Sequence, residues 1–147
     1  MKASILAWLI LPLACGAGAV DIDYISSEAL PALGPYSPAT AISNLVFTSG
    51  QIAFDAELGK VVGDDIESQT RKAMDNLRAV LEASGSSLQD TLRITVYLKN
   101  PEDFPAMNKV YAQYFPGKKP ARTTVPGVEW GPGILIEVDA IAVRSPK

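Results

Sequence analysis

The sequence predicts an α+β fold, a mixed sheet with two helices packed on one face. Three observations carry this expectation. Two stretches, Asp65 to Ala83 and Asn100 to Tyr114, place apolar residues at helical spacing. Between them Thr91–Lys99 alternates: Leu92, Ile94, Val96 and Leu98 stand against Arg93, Thr95, Tyr97 and Lys99. The final run, Ile134–Val143, is apolar at nearly every position, as in a strand covered on both faces. Two helices can cover only one face of such a sheet, so the other is left as an interface.

The chain has 147 residues, enough for one domain with a single core. Residues 1–19 read as a leader: Lys2, an uncharged stretch with its apolar centre at Ile5–Ala14, then the small-x-small end Ala17-Gly18-Ala19. Cleavage there leaves a single domain, 20–147, without cysteine and without stable membrane insertion. The expected location is outside the cytoplasm, in the periplasm. Lipidation at Cys15, an uncleaved anchor and a chain kept in the cytoplasm are the alternatives.

A short strand is expected around Tyr24-Ile25, after which Pro31, Gly34-Pro35 and Pro38 break regular structure. Gly34-Pro35-Tyr36-Ser37 reads as a fixed loop that places an aromatic hydroxyl, or simply as a loop with a packed ring. Leu45–Ser49 is a strand interrupted at Gly50 and continued by Gln51–Phe54; a strand glycine marks a bulge or a close backbone approach. Asp55–Gly59 turns the chain into a hairpin with Lys60-Val61-Val62. Asp64-x-x-Glu67 resembles a capping box, and Gly85 ends the first helix. Ile66, Ala73, Leu77, Val80 and Leu81 form that helix's apolar face. The second helix begins at Asn100-Pro101-Glu102-Asp103 and buries a stripe of Phe104, Met107, Val110, Tyr111 and Tyr114. Asn108 lies beside the stripe, either at the edge of a site or solvated.

The chemistry centres on Lys119-Pro120-Ala121-Arg122-Thr123-Thr124-Val125. The proline and the β-branched run present Arg122 from a loop-to-strand junction, where a guanidinium is a fork for a carboxylate or phosphate. In the last strand Glu137 and Asp139 share one face with Leu135, Ile141 and Val143. A carboxylate in such a strand is costly unless it is paired or used. The spacing serves an Arg–Glu ion pair tying a strand end as well as a substrate site, and both readings stay open.

Several chemistries are excluded. The chain has no histidine, which removes Ser-His-Asp and Cys-His pairs and histidine metal sites. No glycine-rich phosphate fingerprint is present. The net charge is −3 and no basic run occurs, so no nucleic-acid partner is expected.

Taken together, Gly34-Pro35-Tyr36-Ser37, Phe47-Thr48-Ser49-Gly50-Gln51, Met107-Asn108-x-x-Tyr111, Pro120–Val125 and Ile136–Val143 resemble the reactive intermediate deaminase family, RidA or YjgF. The resemblance spans essentially all of 20–147, in order. It implies a chorismate-mutase-like fold and a homotrimer with a site in each cleft between subunits. It also implies hydrolysis of 2-imino acids to 2-keto acids and ammonia, with no cofactor and no metal. Arg122 matches the carboxylate-binding arginine and Glu137 the acid associated with the attacking water. Tyr36, Ser49, Gly50, Asn108 and Thr124 match pocket residues. Thr124 stands where many members have cysteine, and residues 126–133 are richer in Gly and Pro than the usual connection. Three other functions compete: a trimer that binds small carboxylates without turnover, an interaction protein using its apolar surface, and a ribonuclease. The acidic balance and the missing histidine count against the last.

Overall fold

The computed structural model describes residues 21–27 and 31–145; the expected leader, with Cys15, lies outside them. The sheet strands are β1 (Ile22–Ile25), β2 (Ala39–Ile42), β3 (Leu45–Thr48), β6 (Thr91–Leu98), β7 (Ala121–Pro126) and β8 (Ile136–Val143), in spatial order β1-β2-β3-β8-β6-β7. A separate hairpin is formed by β4 (Phe54–Asp55) and β5 (Lys60–Val61). The helices are α1 (Ile66–Ala83) and α2 (Phe104–Tyr114). Among the described strands only β6 and β7 run parallel, and α2 is the crossover between them, as a parallel pair requires. Among the described residues no helix is long and apolar enough to cross a membrane.

One face of the sheet carries the core. Ile94, Val96 and Leu98 of β6 and Ile136, Val138 and Ala140 of β8 meet Met74, Leu77 and Leu81 of α1 and Met107 of α2, all buried. Among the described residues no helix lies on the other face. Phe47 on it is 40% exposed, and its cross-strand partner Ile141 is only half-buried.

The structure corrects the expected elements in four places. The α1 cap is Asp65, not Asp64: Asp65 has an extended backbone and its carboxylate accepts the Ser68 N–H at 2.9 Å, because Ile66 must be the first helical residue for its side chain to reach the core. Residues 101–103 form a separate single turn before α2, with Pro101 opening it. In α2 the buried residues are Met107, Val110 and Tyr111, whereas Phe104 is 40% exposed at the helix start. Strand β2 was not expected; it forms because Ala39–Ile42 lies between β1 and β3, which pair with it on both edges.

Strand β3 leaves β8 through a bulge. Phe47 pairs with Ile141 and Gln51 bridges Val138, so four steps along one strand match three along the other. The Thr48 hydroxyl accepts the Ala140 N–H at 2.9 Å and fills the missing rung. Ser49 and Gly50 sit in the bulge.

Two buried amides on α1 hold the loops that flank this bulge. Asn76 donates to the Ile52 and Phe54 carbonyls at 2.9 and 2.8 Å. Gln69 donates to the carbonyls of Gly63 and Gly133 at 2.9 and 2.6 Å and accepts the Leu135 N–H at 2.9 Å. It thereby fixes the end of the glycine- and proline-rich connection from β7 to β8. Replacing Gln69 with Leu leaves three backbone groups without partners. We expect a loss of at least about 2 kcal/mol, read as a Tm lowered by roughly 5 °C in a circular-dichroism melt. An unchanged Tm would mean that the connection is held by something else.

Candidate functional site

The residues singled out in the sequence fall into two groups. The first gathers at the bulge. Glu137 projects from the uncovered sheet face beside Gly50, and a Cβ added to Gly50 would overlap its carboxylate, lying 2.5 Å from Cδ and 2.8 Å from Cγ. Gly50 has no unusual φ; glycine is needed there for space. The glycine thus sits in a bulge and also lets the Glu137 side chain approach the backbone closely. Ser49 donates its hydroxyl to the Ser37 carbonyl at 2.7 Å, and its N–H goes to the Pro38 carbonyl at 2.9 Å. These bonds tie the Gly34–Ser37 loop to the bulge and bring Tyr36 over it. The Ser49 hydroxyl proton is thus committed to holding the loop.

A cavity of about 380 Å³ opens here, with Glu137, Ser49 and Gly50 at its floor and Leu33, Tyr36, Phe54, Trp130 and Ile134 among its walls. Burial pushes the Glu137 carboxyl above the usual carboxylate range, and Asp139 on the same face adds to this. The Trp130 indole N–H, directed at the carboxylate, opposes the rise. Trp130 was not singled out in the sequence. Its only signal is a large ring in a connection otherwise dominated by Gly and Pro.

The second group gathers on α2 and β7. Arg122 donates from Nη1 to Asn108 Oδ1 at 2.8 Å, and its guanidinium lies over the Tyr111 ring at 4.6 Å and near Phe104 at 5.7 Å. Asn108 is therefore engaged with Arg122 rather than simply solvated. The hydroxyls of Tyr111 and Thr124 are buried without a hydrogen-bond partner among the described residues. Buried hydroxyls left in that state are rare and costly, about 1–3 kcal/mol each. Tyr111, read in the sequence as core only, is thus also the platform under Arg122.

The two groups do not meet within one chain. Arg122 pairs with Ile94 and shares its helix-side face, while Glu137 pairs with Tyr97 on the uncovered face. With β6 between them, they are two strand spacings and three residues apart, roughly 14 Å between Cα atoms on opposite faces. The intrachain Arg–Glu ion pair weighed from the sequence is not formed. Among the described residues no carboxylate pairs with Arg122.

This architecture, a mixed six-stranded sheet backed by two helices, is that of a YjgF-type α+β protein. The chain belongs to the reactive intermediate deaminase (YjgF/RidA) family: residues 26–144 match the family described as Endoribonuclease L-PSP. It is 46% identical over 113 residues to a RutC family protein of Pyrococcus horikoshii, covering 77% of this chain and 90% of that one. It is 37% identical over 131 residues to Reactive Intermediate Deaminase A, chloroplastic, of Arabidopsis thaliana, covering 88% and 70% of the two. A crystal structure of E. coli TdcF with bound serine superposes with a TM-score of 0.77 at 33% identity, covering 84% of this chain and 99% of that one.

Proposed function

We propose that the protein hydrolyses 2-imino acids to 2-keto acids and ammonia, in sites built where one copy of the chain presents Arg122 to the Glu137 cavity of another. The observation that carries this is the separation of the two groups. Among the described residues Arg122 is held by Asn108 and Tyr111 with no acid paired to it, and Glu137 is held in an open cavity that no cation lines. A closed ring of three copies, packed through the uncovered sheet faces, gives each arginine one cavity to serve.

The chemistry follows from the groups present. Asn108 uses one of the five guanidinium N–H donors, and the rest are available to take the substrate carboxylate as a bidentate pair. That grip fixes the C=N carbon beside Glu137. A water at the carboxylate gives up a proton to it and adds to the carbon. Glu137 returns that proton to nitrogen, giving an adduct that carries a hydroxyl and an amine; the carboxylate then takes the hydroxyl proton and passes it to the amine as the C=O forms, so the C–N bond breaks and ammonia and the keto acid leave. The raised affinity of Glu137 for its proton suits both halves of this exchange. The net charge of −3 and the absence of histidine favour this chemistry over cleavage of RNA.

The test is release of keto acid or ammonia from an imino acid generated in place by an amino-acid oxidase, with and without the purified protein. Acceleration supports the reading. An unchanged rate together with saturable binding of a keto acid would instead favour a carboxylate-binding protein. Light scattering at three times the chain mass supports the shared site, and a monomer at micromolar concentration would remove it.

A further inference from the structure

We propose that the substrates are 2-imino acids with bulky apolar side chains, branched aliphatic or aromatic, and that Trp130 is the wall that selects them. This rests on the deaminase reading and names its substrate class.

The first argument is volume. The smallest carbon-bearing case, the imino acid derived from alanine, has about six heavy atoms; at the bulk of a water each, ~30 Å³, it fills roughly 180 Å³. The cavity holds about 380 Å³. That volume belongs to the open cavity of one chain, and the second copy that brings Arg122 takes part of it; the cavity as it stands is larger than an alanine-derived substrate and bordered by apolar walls.

The second argument is chemistry. Around Glu137 the polar groups of Tyr36, Ser49, Gln51 and Asn76 border the cavity, the remaining walls include Leu33, Ile52, Phe54, Trp130 and Ile134, and among the described residues no lysine or arginine lines it. The amide groups that border it are already engaged. Asn76 donates to the Ile52 and Phe54 carbonyls, and Gln51 donates to the Ser49 carbonyl at 3.1 Å. A hydroxylated side chain gains little here, and an acidic one meets the Glu137 carboxylate. An apolar one replaces water along the walls.

The third argument concerns construction. Trp130 lies in the connection whose far end Gln69 fixes through Gly133 and Leu135, so the ring is carried by an anchored segment. Its indole N–H turns to Glu137, which leaves its apolar ring to line the cavity.

The expected result is a preference. Each buried methylene contributes roughly fourfold, so kcat/KM for the imino acids derived from leucine and phenylalanine should exceed that for the alanine-derived one by at least about tenfold. Trp130→Ala should shrink that ratio by about fivefold or more, whatever it does to the absolute rates. Trp130→Phe should keep the preference while moving the acid limb of the pH profile upward, because the ring stays and the N–H is lost. Equal or better turnover of the alanine-derived substrate, or a ratio untouched by Trp130→Ala, would overturn the inference and leave the deaminase reading standing. Absence of turnover on every imino acid would sink the deaminase reading. Calorimetry then still reads the cavity: tighter binding of 4-methyl-2-oxopentanoate than of pyruvate supports the apolar preference, and equal binding refutes it.

Discussion

Arg122→Ala is expected to lower kcat/KM for 2-imino acids by at least tenfold, the loss of rate being larger at low substrate concentration than at saturation. Charge-assisted hydrogen bonds contribute about 1.5–3 kcal/mol, and each ~1.4 kcal/mol is a factor of ten in rate. The side chain is held ready for this role: Asn108 takes one N–H and Tyr111 supports the guanidinium face, so its plane is fixed before substrate arrives. Arg122→Lys should fail to restore activity, because a point charge neither lies flat on Tyr111 nor forms two parallel bonds to a carboxylate. Steady-state kinetics on imino acids generated in place measure both variants. Full activity in Arg122→Ala would overturn the site assignment.

Glu137→Gln is expected to lower kcat by roughly 10²-fold while binding of keto acids survives. The amide keeps the shape beside Gly50 but cannot accept and return a proton. Its Tm should not fall. Burial raises the carboxyl's affinity for its proton, so ionised Glu137 opposes folding at neutral pH, and a neutral amide removes that opposition. In the unsubstituted protein the acid limb of kcat/KM should lie above the ordinary carboxylate range, since the base form exists only above the raised value. A Gln variant that lost stability and binding together would mark Glu137 as a structural partner. Full activity would leave the water to backbone groups near Gly50.

Much of the fold was legible because period and caps speak for themselves. The face of α1, the alternation of β6 and the shared side of Glu137 and Asp139 follow from spacing within one element. Gly50 was legible as an anomaly inside a strand. Ala39–Ile42 was not, since four residues after Pro38, two of them alanine, become a strand only through the neighbours on either side. The placement of Arg122 and Glu137 on opposite faces could not be read either. Side-chain parity is fixed within a strand, but between strands it depends on register, and here that register runs through β6. Trp130 was hidden for a related reason: no periodicity extends through the connection, and the bonds that fix its end at Gly133 and Leu135 come from Gln69, a residue far away in sequence.

The opposite-facing arrangement of Arg122 and Glu137 has a genetic consequence. If each working site takes one group from each of two copies, the two inactivating substitutions are complementary alleles. In a ring of three that mixes Arg122→Ala chains with Glu137→Gln chains, one junction always joins an intact glutamate to an intact arginine. Equal co-expression then regenerates roughly a quarter of the sites, although either allele alone yields none. A chain carrying both substitutions rescues nothing, and against the normal allele it acts as a poison subunit that spoils both junctions it enters.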